Sequence, residues 1–239
     1  MRVRTLAYLV LGLWLLTGEA AAGPRAVLEL FTSQGCAACP PADRLFAELA
    51  RDPRYVVLSL PVDYWDRTGW KDTFAKNTFT RRQQAYAKLR GDGQAYTPQA
   101  VVNGRLPVVG SDRSGIMAAA WQGADSIGVP IMVQQRGSEI EVDVGATAEV
   151  LAGRATVVVM PYLASREVTI GRGENAHSAI TYTNIVREII SFGDWSGAPA
   201  TFRGRLPGNE RYDGVVVLLQ EGSAQAPGAI LGVDRIGLR

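Results

Sequence analysis

The sequence predicts a mixed α/β fold in two parts, an α/β domain over residues 23–122 and a β-rich, sandwich-like domain over residues 123–239. In the first part, apolar runs of strand length alternate with segments that show helical periodicity. After Gly123, short apolar segments alternate with Gly, Pro and Asp turns, and helical periodicity largely disappears. A third observation is a pair of cysteines, Cys36 and Cys39, at the start of the first predicted helix.

The first predicted elements are a strand, the cysteine pair and a helix. Residues 27–31 form an apolar run of strand length, and the segment 32–35 breaks it. Pro40 and Pro41 follow the cysteines directly. Because proline is compatible with a helix only in its first turn, where the amide hydrogens have no intrahelical partner, both cysteines should lie at the very N-terminus of the helix.

The remaining elements of the first part complete the order βαβαββα by about residue 122. Thr80 and Gln83 have the spacing of a capping box, and Gly91 is a natural helix stop, so residues 81–90 should be helical. The other predicted elements are strands at residues 55–60, 99–102 and 106–109, a hairpin turn at Asn103-Gly104, and a helix that Ser111 or Ser114 caps and that reaches Trp121.

Six apolar segments make the second part β-rich. They alternate with turn residues at a spacing typical of short strands. We expect these strands to form a sandwich that packs on the first domain, and the alternative is that they extend the first sheet. The segments are residues 129–135, 139–144, 155–163, 180–192, 213–220 and 229–236.

The first 22 residues predict a secretory signal peptide. Arg2 and Arg4 precede an apolar run over residues 6–16, and small residues follow through Ala22. The apolar run is well short of the roughly 20 residues that a membrane-spanning helix needs. We therefore expect cleavage before Gly23 and a mature protein that is periplasmic or secreted, without a stable membrane anchor.

The charge distribution argues against nucleic-acid binding. The chain has 25 Lys and Arg, 23 Asp and Glu, and a formal net charge of +2 at pH 7. Nucleic-acid binding normally shows a clustered basic footprint, whereas the basic residues here are scattered among acidic ones. We predict no nucleic-acid partner.

The cysteine pair is the clearest chemical feature of the sequence. Two cysteines in an exported chain favour a disulfide, but a bridge between Cys36 and Cys39 closes too short a loop to stabilise the fold much. A thiol at a helix N-terminus lies near the positive end of the helix dipole, which favours the thiolate. We expect Cys36, at the exposed helix tip, to be the attacking thiolate and Cys39 to resolve the mixed disulfide. An inert structural pair and a metal-binding pair are the alternatives.

Thr97-Pro98 is the second element of the predicted site. It precedes an apolar strand, and an X-Pro bond adopts the cis form at modest cost. Together with a dithiol, this placement matches the thioredoxin arrangement, in which a threonine and a cis-proline face the cysteines and hold the substrate backbone. The sequence therefore predicts a thioredoxin-like domain in which a cis-Pro98 orients the substrate within van der Waals reach of Cys36 or Cys39.

Several motifs along the chain carry a resemblance to a known family. The motifs are residues 28–43, which include Gly35-Cys36-Ala37-Ala38-Cys39-Pro40-Pro41, residues 62–66, 69–72 and 96–99, and residues 171–176 and 181–187 in the second part. They resemble the bacterial secreted family known as domain of unknown function 1223, over nearly the whole mature chain. The resemblance implies a thioredoxin-like fold and an exported protein, and it implies no particular reaction.

Three further features each have two interpretations. Glu29 precedes the cysteine pair and is either a buried acid that helps to move protons or a solvated or salt-bridged carboxylate. His177, the one histidine, is either a surface residue or a third ligand to copper(I) held by the two cysteines. The aromatic residues Tyr64, Trp65 and Trp70 either pack in the core or form the floor of a peptide groove.

The predicted function is that of an exported thiol-disulfide oxidoreductase. Its catalytic residues are Cys36, Cys39 and Pro98, its substrates are protein thiols or disulfides, and the residues do not specify its redox partner. We predict no cofactor and no metal site for this function. The alternative is a periplasmic copper(I)-binding or redox-sensing protein that uses the same dithiol without turnover. A third interpretation is a structural module.

Overall fold

The structure is a computed structural model in which residues 23–147, 154–208 and 210–238 are described. Its fold is mixed α/β, with a large sheet and few helices. The predicted leader, residues 1–22, lies outside the described residues. No helix in the described ranges is long and apolar enough to cross a membrane.

The described residues form three α-helices and twelve β-strands. The helices are α1 (Pro40–Leu49), α2 (Asn77–Arg90) and α3 (Arg113–Gln122). The strands of the first half are β1 (Ala26–Thr32), β2 (Tyr55–Pro61), β3 (Gln99–Val102) and β4 (Leu106–Val109). The strands of the second half are β5 (Ile131–Arg136), β6 (Glu139–Val144), β7 (Ala155–Thr169), β8 (Ala179–Val186), β9 (Ile190–Trp195), β10 (Ala200–Arg205), β11 (Gly214–Gly222) and β12 (Pro227–Gly237).

Strand β1 lies inside the large sheet and is buried along its whole length. It pairs in parallel with β2 and antiparallel with β3. Because side chains alternate along a strand, Leu28 packs with α1 and α3 on one face of the sheet, while Phe31 packs with α2 on the other. A strand covered by helices on both faces is apolar on both faces, which explains the continuous apolar run in the sequence.

The large sheet joins both halves of the chain. Its nine strands run in the order β12-β11-β7-β8-β2-β1-β3-β4, with β9 paired to β7. The junction is the parallel pair β2 and β8, in which Ser59 is aligned with Ile185. Strands of the second half therefore extend the sheet of the first half, which is the alternative that the sequence left open. The division into two domains at residue 122 remains a prediction.

A second sheet of three strands, in the order β10-β6-β5, covers part of the large one. Its apolar residues share one core with strands β7 and β11. Val142 of the small sheet, Val157 of β7 and Val217 of β11 are fully buried in this core. The second half thus contains two stacked sheets, as the expected sandwich does. One of these two sheets, however, also contains strands β1 to β4 of the first half.

The structure corrects two predicted helix starts. Helix α2 begins at Asn77, so Thr80 lies inside the helix and does not cap it. The hydroxyl of Thr80 instead donates to Oδ1 of Asp63 at 2.6 Å and fixes the loop that follows β2. Helix α3 is capped by Asp112 rather than by either of the predicted serines.

A buried ion pair lies on the α2 face of the large sheet. The side chains of Glu29 and Arg82 are 0% and 1% exposed, and Nε of Arg82 lies 2.7 Å from Oε1 of Glu29. Tyr86 donates its hydroxyl to Oε2 of Glu29 at 2.5 Å, and Nη2 of Arg82 donates to the side-chain oxygen of Gln220 at 2.8 Å. Glu29 is thus a salt-bridged carboxylate. We call these four residues the buried network, and they tie β1 to α2 and β11.

Candidate functional site

The two cysteines form a disulfide in the turn between β1 and α1. Cys36 and Cys39 are bonded, with their Cα atoms 5.4 Å apart. Two consecutive backbone turns bring them together, since the amide of Cys36 donates to the carbonyl of Ser33 and the amide of Cys39 donates to the carbonyl of Cys36. We call residues 33–39 the cysteine turn.

Both cysteines are more enclosed than the sequence predicts. Helix α1 begins at Pro40, Cys39 is its N-cap residue, and Cys36 lies before the helix. Cys36 is 1% exposed and Cys39 is 0% exposed, while Ala37 and Ala38 between them are exposed. The expectation that Cys36 occupies an exposed helix tip is therefore wrong, because the turn folds Cys36 inward and presents the two alanines to solvent.

The first turn of α1 offers few free amide donors to the sulfurs. Pro40 and Pro41 have no amide hydrogen. The amides of Ala42 and Asp43 donate to the carbonyl of Cys39, at 2.9 and 3.1 Å. The helix N-terminus therefore acts on the two sulfurs through the field of the helix dipole rather than through direct N–H donation.

A loop from the second half of the chain holds the cysteine turn in place. Asn175 lies between β7 and β8, and its side-chain amide donates to the carbonyls of Gln34 and Cys36, both at 2.9 Å. Asn175 is buried, so these hydrogen bonds form away from solvent. Reasoning from the sequence missed this contact. The one signal in its favour was that residues 171–176 belong to the family motifs.

A second set of contacts joins Gln34 to the loop before α2. Trp70 donates from Nε1 to the side-chain oxygen of Gln34 at 2.8 Å, and Gln34 donates from Nε2 to Thr73 at 2.9 Å. The backbone amide of Gln34 donates to Oδ2 of Asp72 at 2.8 Å. A β-carbon at Gly171 would lie 3.0 Å from the ring of Trp70, so the glycine lets the two loops approach closely. The cysteine turn is thus held from two sides.

Thr97-Pro98 has the predicted cis bond and lies beside α1. Thr97 accepts a hydrogen bond from Nε1 of Trp65 at 2.7 Å. A β-carbon at Gly110 would lie 3.0 Å from Cβ of Pro98 and 3.3 Å from Cβ of Ala42, so Pro98 is near the first turn of α1. The role of Pro98 in orienting a substrate remains a prediction.

The other residues singled out from the sequence are three aromatic residues and one histidine. Tyr64 and Trp65 are partly buried against the core on the α2 face, and Trp70 packs against the core around β8. His177 is exposed, two residues after Asn175 in the same loop. Within the described ranges, no group of three or more His, Cys, Asp and Glu side chains is arranged to hold a metal ion.

Asp43 is a buried acid that the sequence pattern did not single out. It lies in the first turn of α1, is 3% exposed, and accepts a hydrogen bond at Oδ1 from Thr32 at 2.9 Å. Its other oxygen, Oδ2, has no hydrogen-bond partner among the described residues. Burial is the main cause that raises the pKa of Asp43 to about 8; the hydrogen bond from Thr32 opposes this rise, and the charge of Asp72 adds to it. The carboxyl group is therefore mostly protonated at pH 7.

Asp72 and Tyr182 complete a cluster around Asp43. Asp72 accepts hydrogen bonds from three backbone amides at 2.8 to 3.1 Å, and burial raises its pKa. Tyr182 of β8 is 1% exposed, and its hydroxyl has no partner in the part of the chain that the structure describes. Burial raises the pKa of Tyr182, and the charges of Asp43 and Asp72 raise it further. We call these three residues the acidic cluster.

Replacing Asn175 by alanine is expected to speed reduction of the disulfide about tenfold. The variant loses about 1.4 kcal/mol of hydrogen bonding to the cysteine turn, and this loss shifts the opening equilibrium of the turn by a factor of about ten. The measurement is the rate at which dithiothreitol exposes both thiols to an alkylating reagent. Asn77→Ala removes an exposed amide from α2 and is the matched control, which should leave the rate unchanged. An Asn175→Ala rate equal to that of the wild type would show that this loop does not govern access.

Comparisons with known proteins describe the family and the fold. A family model described as a protein of unknown function, DUF1223, matches residues 27–220. No curated protein matches the chain. A protein from Agrobacterium tumefaciens, known from an X-ray crystal structure, is 35% identical over 91% of this chain and 96% of its own, with a TM-score of 0.79. The structure of HBP35 of Porphyromonas gingivalis is 12% identical over 90% of this chain and 76% of its own, with a TM-score of 0.59, which is a likeness of fold alone.

The range matched by the family model contains the whole candidate site. It includes the cysteine turn, Thr97-Pro98, the acidic cluster and Asn175. The Agrobacterium protein is similar along almost the entire length of both chains. The chain therefore belongs to the DUF1223 family, in agreement with the motifs in its sequence.

Proposed function

We propose that this chain is an exported thiol-disulfide oxidoreductase with a thioredoxin-like first domain. The observation that carries the proposal is the disulfide between Cys36 and Cys39 at the junction of β1 and α1, with the cis-Thr97-Pro98 bond beside the same helix. Its substrates are protein thiols or disulfides, a redox partner restores the cysteine pair, and the reaction needs no cofactor. Export rests on the predicted leader, residues 1–22.

The order of elements around the disulfide supports the thioredoxin-like assignment. β1, α1 and β2 form a βαβ unit with parallel strands, and β3 then pairs antiparallel with β1. Phe31 near the end of β1 lies opposite Gln99 at the start of β3. The disulfide follows the end of β1 and Pro98 precedes the start of β3, so the two features lie at the same end of neighbouring strands.

The proposed reaction consists of two successive thiol-disulfide exchanges. A partner thiolate attacks Sγ of Cys36, the bond between the cysteines breaks, and its electron pair leaves with Sγ of Cys39. A second thiolate of the partner then attacks the partner's own sulfur in the mixed disulfide and releases Cys36 as a thiolate. The partner dithiol is oxidised to a disulfide, and the cysteine pair is reduced by the same two electrons. The reverse sequence oxidises the cysteine pair.

The enclosure of Cys36 sets a condition on this reaction. Exchange depends on access of the attacking thiolate to the sulfur. Because Cys36 is 1% exposed, the cysteine turn must open before a protein partner reaches it. The hydrogen bonds from Asn175 to Gln34 and Cys36 restrain this opening.

Cys39→Ala is expected to trap partner proteins as mixed disulfides, and Cys36→Ala is expected to trap few or none. In the direction that oxidises partner thiols, the cysteine pair must start as a disulfide. In the reverse direction, the Cys36 thiolate attacks a partner disulfide, and without Cys39 no thiol of this chain resolves the mixed disulfide that results. Both variants are expressed in the native compartment, and trapped partners are detected on non-reducing gels. A variant in which both cysteines are replaced by alanine is the control, and it should form no adduct.

The outcomes of this experiment separate the proposed function from its alternatives. Equal trapping by the two single variants would overturn the roles assigned to Cys36 and Cys39. Tight binding of one copper(I) ion per reduced wild-type chain, without any adduct, would replace the oxidoreductase by the copper-binding alternative. A chain that neither traps partners nor binds copper(I) would hold a disulfide with a structural role only.

A further inference from the structure

Asp43 lies one helical turn after Cys39, on the same face of α1. In helical backbone, residues four apart are neighbours, and side chains tilt toward the helix N-terminus. Cys39 already has helical backbone angles, with φ −79° and ψ −36°. The side chain of Asp43 is therefore inclined toward the N-terminal end of α1, next to which the disulfide lies.

The surroundings of Asp43 favour its protonated form and supply no buried counter-ion. Burial raises the pKa of Asp43, and the charge of Asp72 in the loop before α2 adds to this effect. The hydrogen bond that Thr32 of β1 donates to one oxygen lowers the pKa but is outweighed by burial. The basic group that acts on Asp43 is Arg44 on the same helix, and Arg44 is exposed. Within the described ranges Asp43 forms no salt bridge, and its Oδ2 is left without a partner.

Glu29, the acid considered from the sequence as a proton carrier, lies on the other side of the sheet. Side chains alternate along β1, so Thr32 faces Asp43 on α1 while Glu29 faces Arg82 on α2. The carboxylate of Glu29 is also fully engaged by Arg82 and Tyr86. Glu29 is therefore held away from the α1 side of the sheet, where Asp43 is the buried acid nearest to Cys39 in the chain.

We propose that Asp43 carries the proton of the Cys39 thiol, an inference that rests on the proposed thiol chemistry. When a thiolate opens the disulfide, the electron pair of the broken bond goes to Sγ of Cys39, and the carboxylic acid of Asp43 donates its proton to this thiolate. When the disulfide closes, the Asp43 carboxylate takes the proton from the Cys39 thiol, and the resulting thiolate attacks Cys36 in the mixed disulfide. With a pKa of about 8, Asp43 holds this proton at pH 7 in the oxidised protein.

The test measures how fast dithiothreitol opens the disulfide over a pH range that brackets the pKa of about 8. In the wild type, the rate constant per dithiothreitol thiolate should fall as the pH rises through this value, because Asp43 loses the proton that it donates. In Asp43→Asn, the rate constant should be about tenfold lower at low pH and should show no such fall. Glu48→Gln removes an exposed carboxyl group from the same helix, and it should behave as the wild type.

An Asp43→Asn protein that keeps the wild-type rate and its pH dependence would overturn the proposal. A second measurement needs no variant. In wild-type protein with labelled aspartate, one carboxyl carbon observed by NMR should titrate near pH 8 in the disulfide form and shift on reduction. If every aspartate titrates near its ordinary value, the proposal fails. These measurements use dithiothreitol in place of a protein partner. Their outcome is therefore independent of whether the Cys39→Ala variant traps partner proteins.

Discussion

Replacing Arg82 by methionine is expected to lower the free energy of unfolding by about 3–5 kcal/mol, because it leaves a buried carboxylate without its counter-ion. The side chain of Arg82 is 1% exposed and compensates the charge of Glu29 in the core. It also donates hydrogen bonds to Tyr86 and Gln220. Methionine retains much of the side-chain volume, so the charge and these hydrogen bonds account for the loss. Urea denaturation at neutral pH, followed by tryptophan fluorescence, measures the change.

Arg113→Met is the matched control for this variant. Arg113 pairs with Glu48 at the surface, and exposed ion pairs contribute about 0–1 kcal/mol, so this variant should unfold almost as the wild type does. The double variant Glu29→Met, Arg82→Met removes both buried charges and should recover part of the loss. Equal losses in Arg82→Met and Arg113→Met would contradict the role assigned to the buried network.

Asp43→Asn is expected to change the pH dependence of stability by about 4 kcal/mol between about pH 4 and pH 7. In the unfolded chain the pKa of Asp43 is near 3.8, whereas burial raises its pKa to about 8 in the folded protein. Between these values the folded state binds one proton more than the unfolded state. The wild type therefore loses about 1.4 kcal/mol of stability for each unit by which the pH rises, and asparagine, which does not titrate, removes this loss.

The measurement is urea denaturation of the oxidised proteins below, within and above this pH interval. The stability of Asp43→Asn relative to the wild type should rise with pH and level off above about 8. Glu48→Gln, which removes an exposed carboxyl group, should show no comparable rise. A difference between Asp43→Asn and the wild type that stays constant with pH would contradict the raised pKa of Asp43.

The first elements of the fold were predictable because steric constraints specify them. Pro40 and Pro41 are compatible only with the first turn of a helix, and α1 begins at Pro40. The apolar run of β1 predicts a strand that is buried on both faces. The capping-box spacing at Thr80 was misleading, because its hydroxyl bonds to Asp63 in a loop rather than to its own helix. A polar side chain has several partners within reach, and sequence spacing does not decide among them.

The surroundings of the cysteines were not predictable, because they depend on contacts between distant segments. Asn175, in the loop between β7 and β8, donates to the carbonyl of Cys36. The raised pKa of Asp43 depends on burial beneath elements that include β8. Short apolar segments between turn residues predicted most strands of the second half but not the sheet that each strand joins. Strand β10 was missed, because alternate positions along it are exposed and Phe202 is its one large apolar residue.

The contact between Asn175 and the cysteine turn forms only after both cysteines have been synthesised. Chains are synthesised from the N-terminus, and Asn175 follows Cys36 by 139 residues, so both thiols emerge well before the residue that holds the cysteine turn. A nascent chain therefore presents the cysteine pair to oxidants in solution and to other thiols. Once Asn175 has formed its hydrogen bond to the carbonyl of Cys36, the redox state of the pair changes only when the cysteine turn opens.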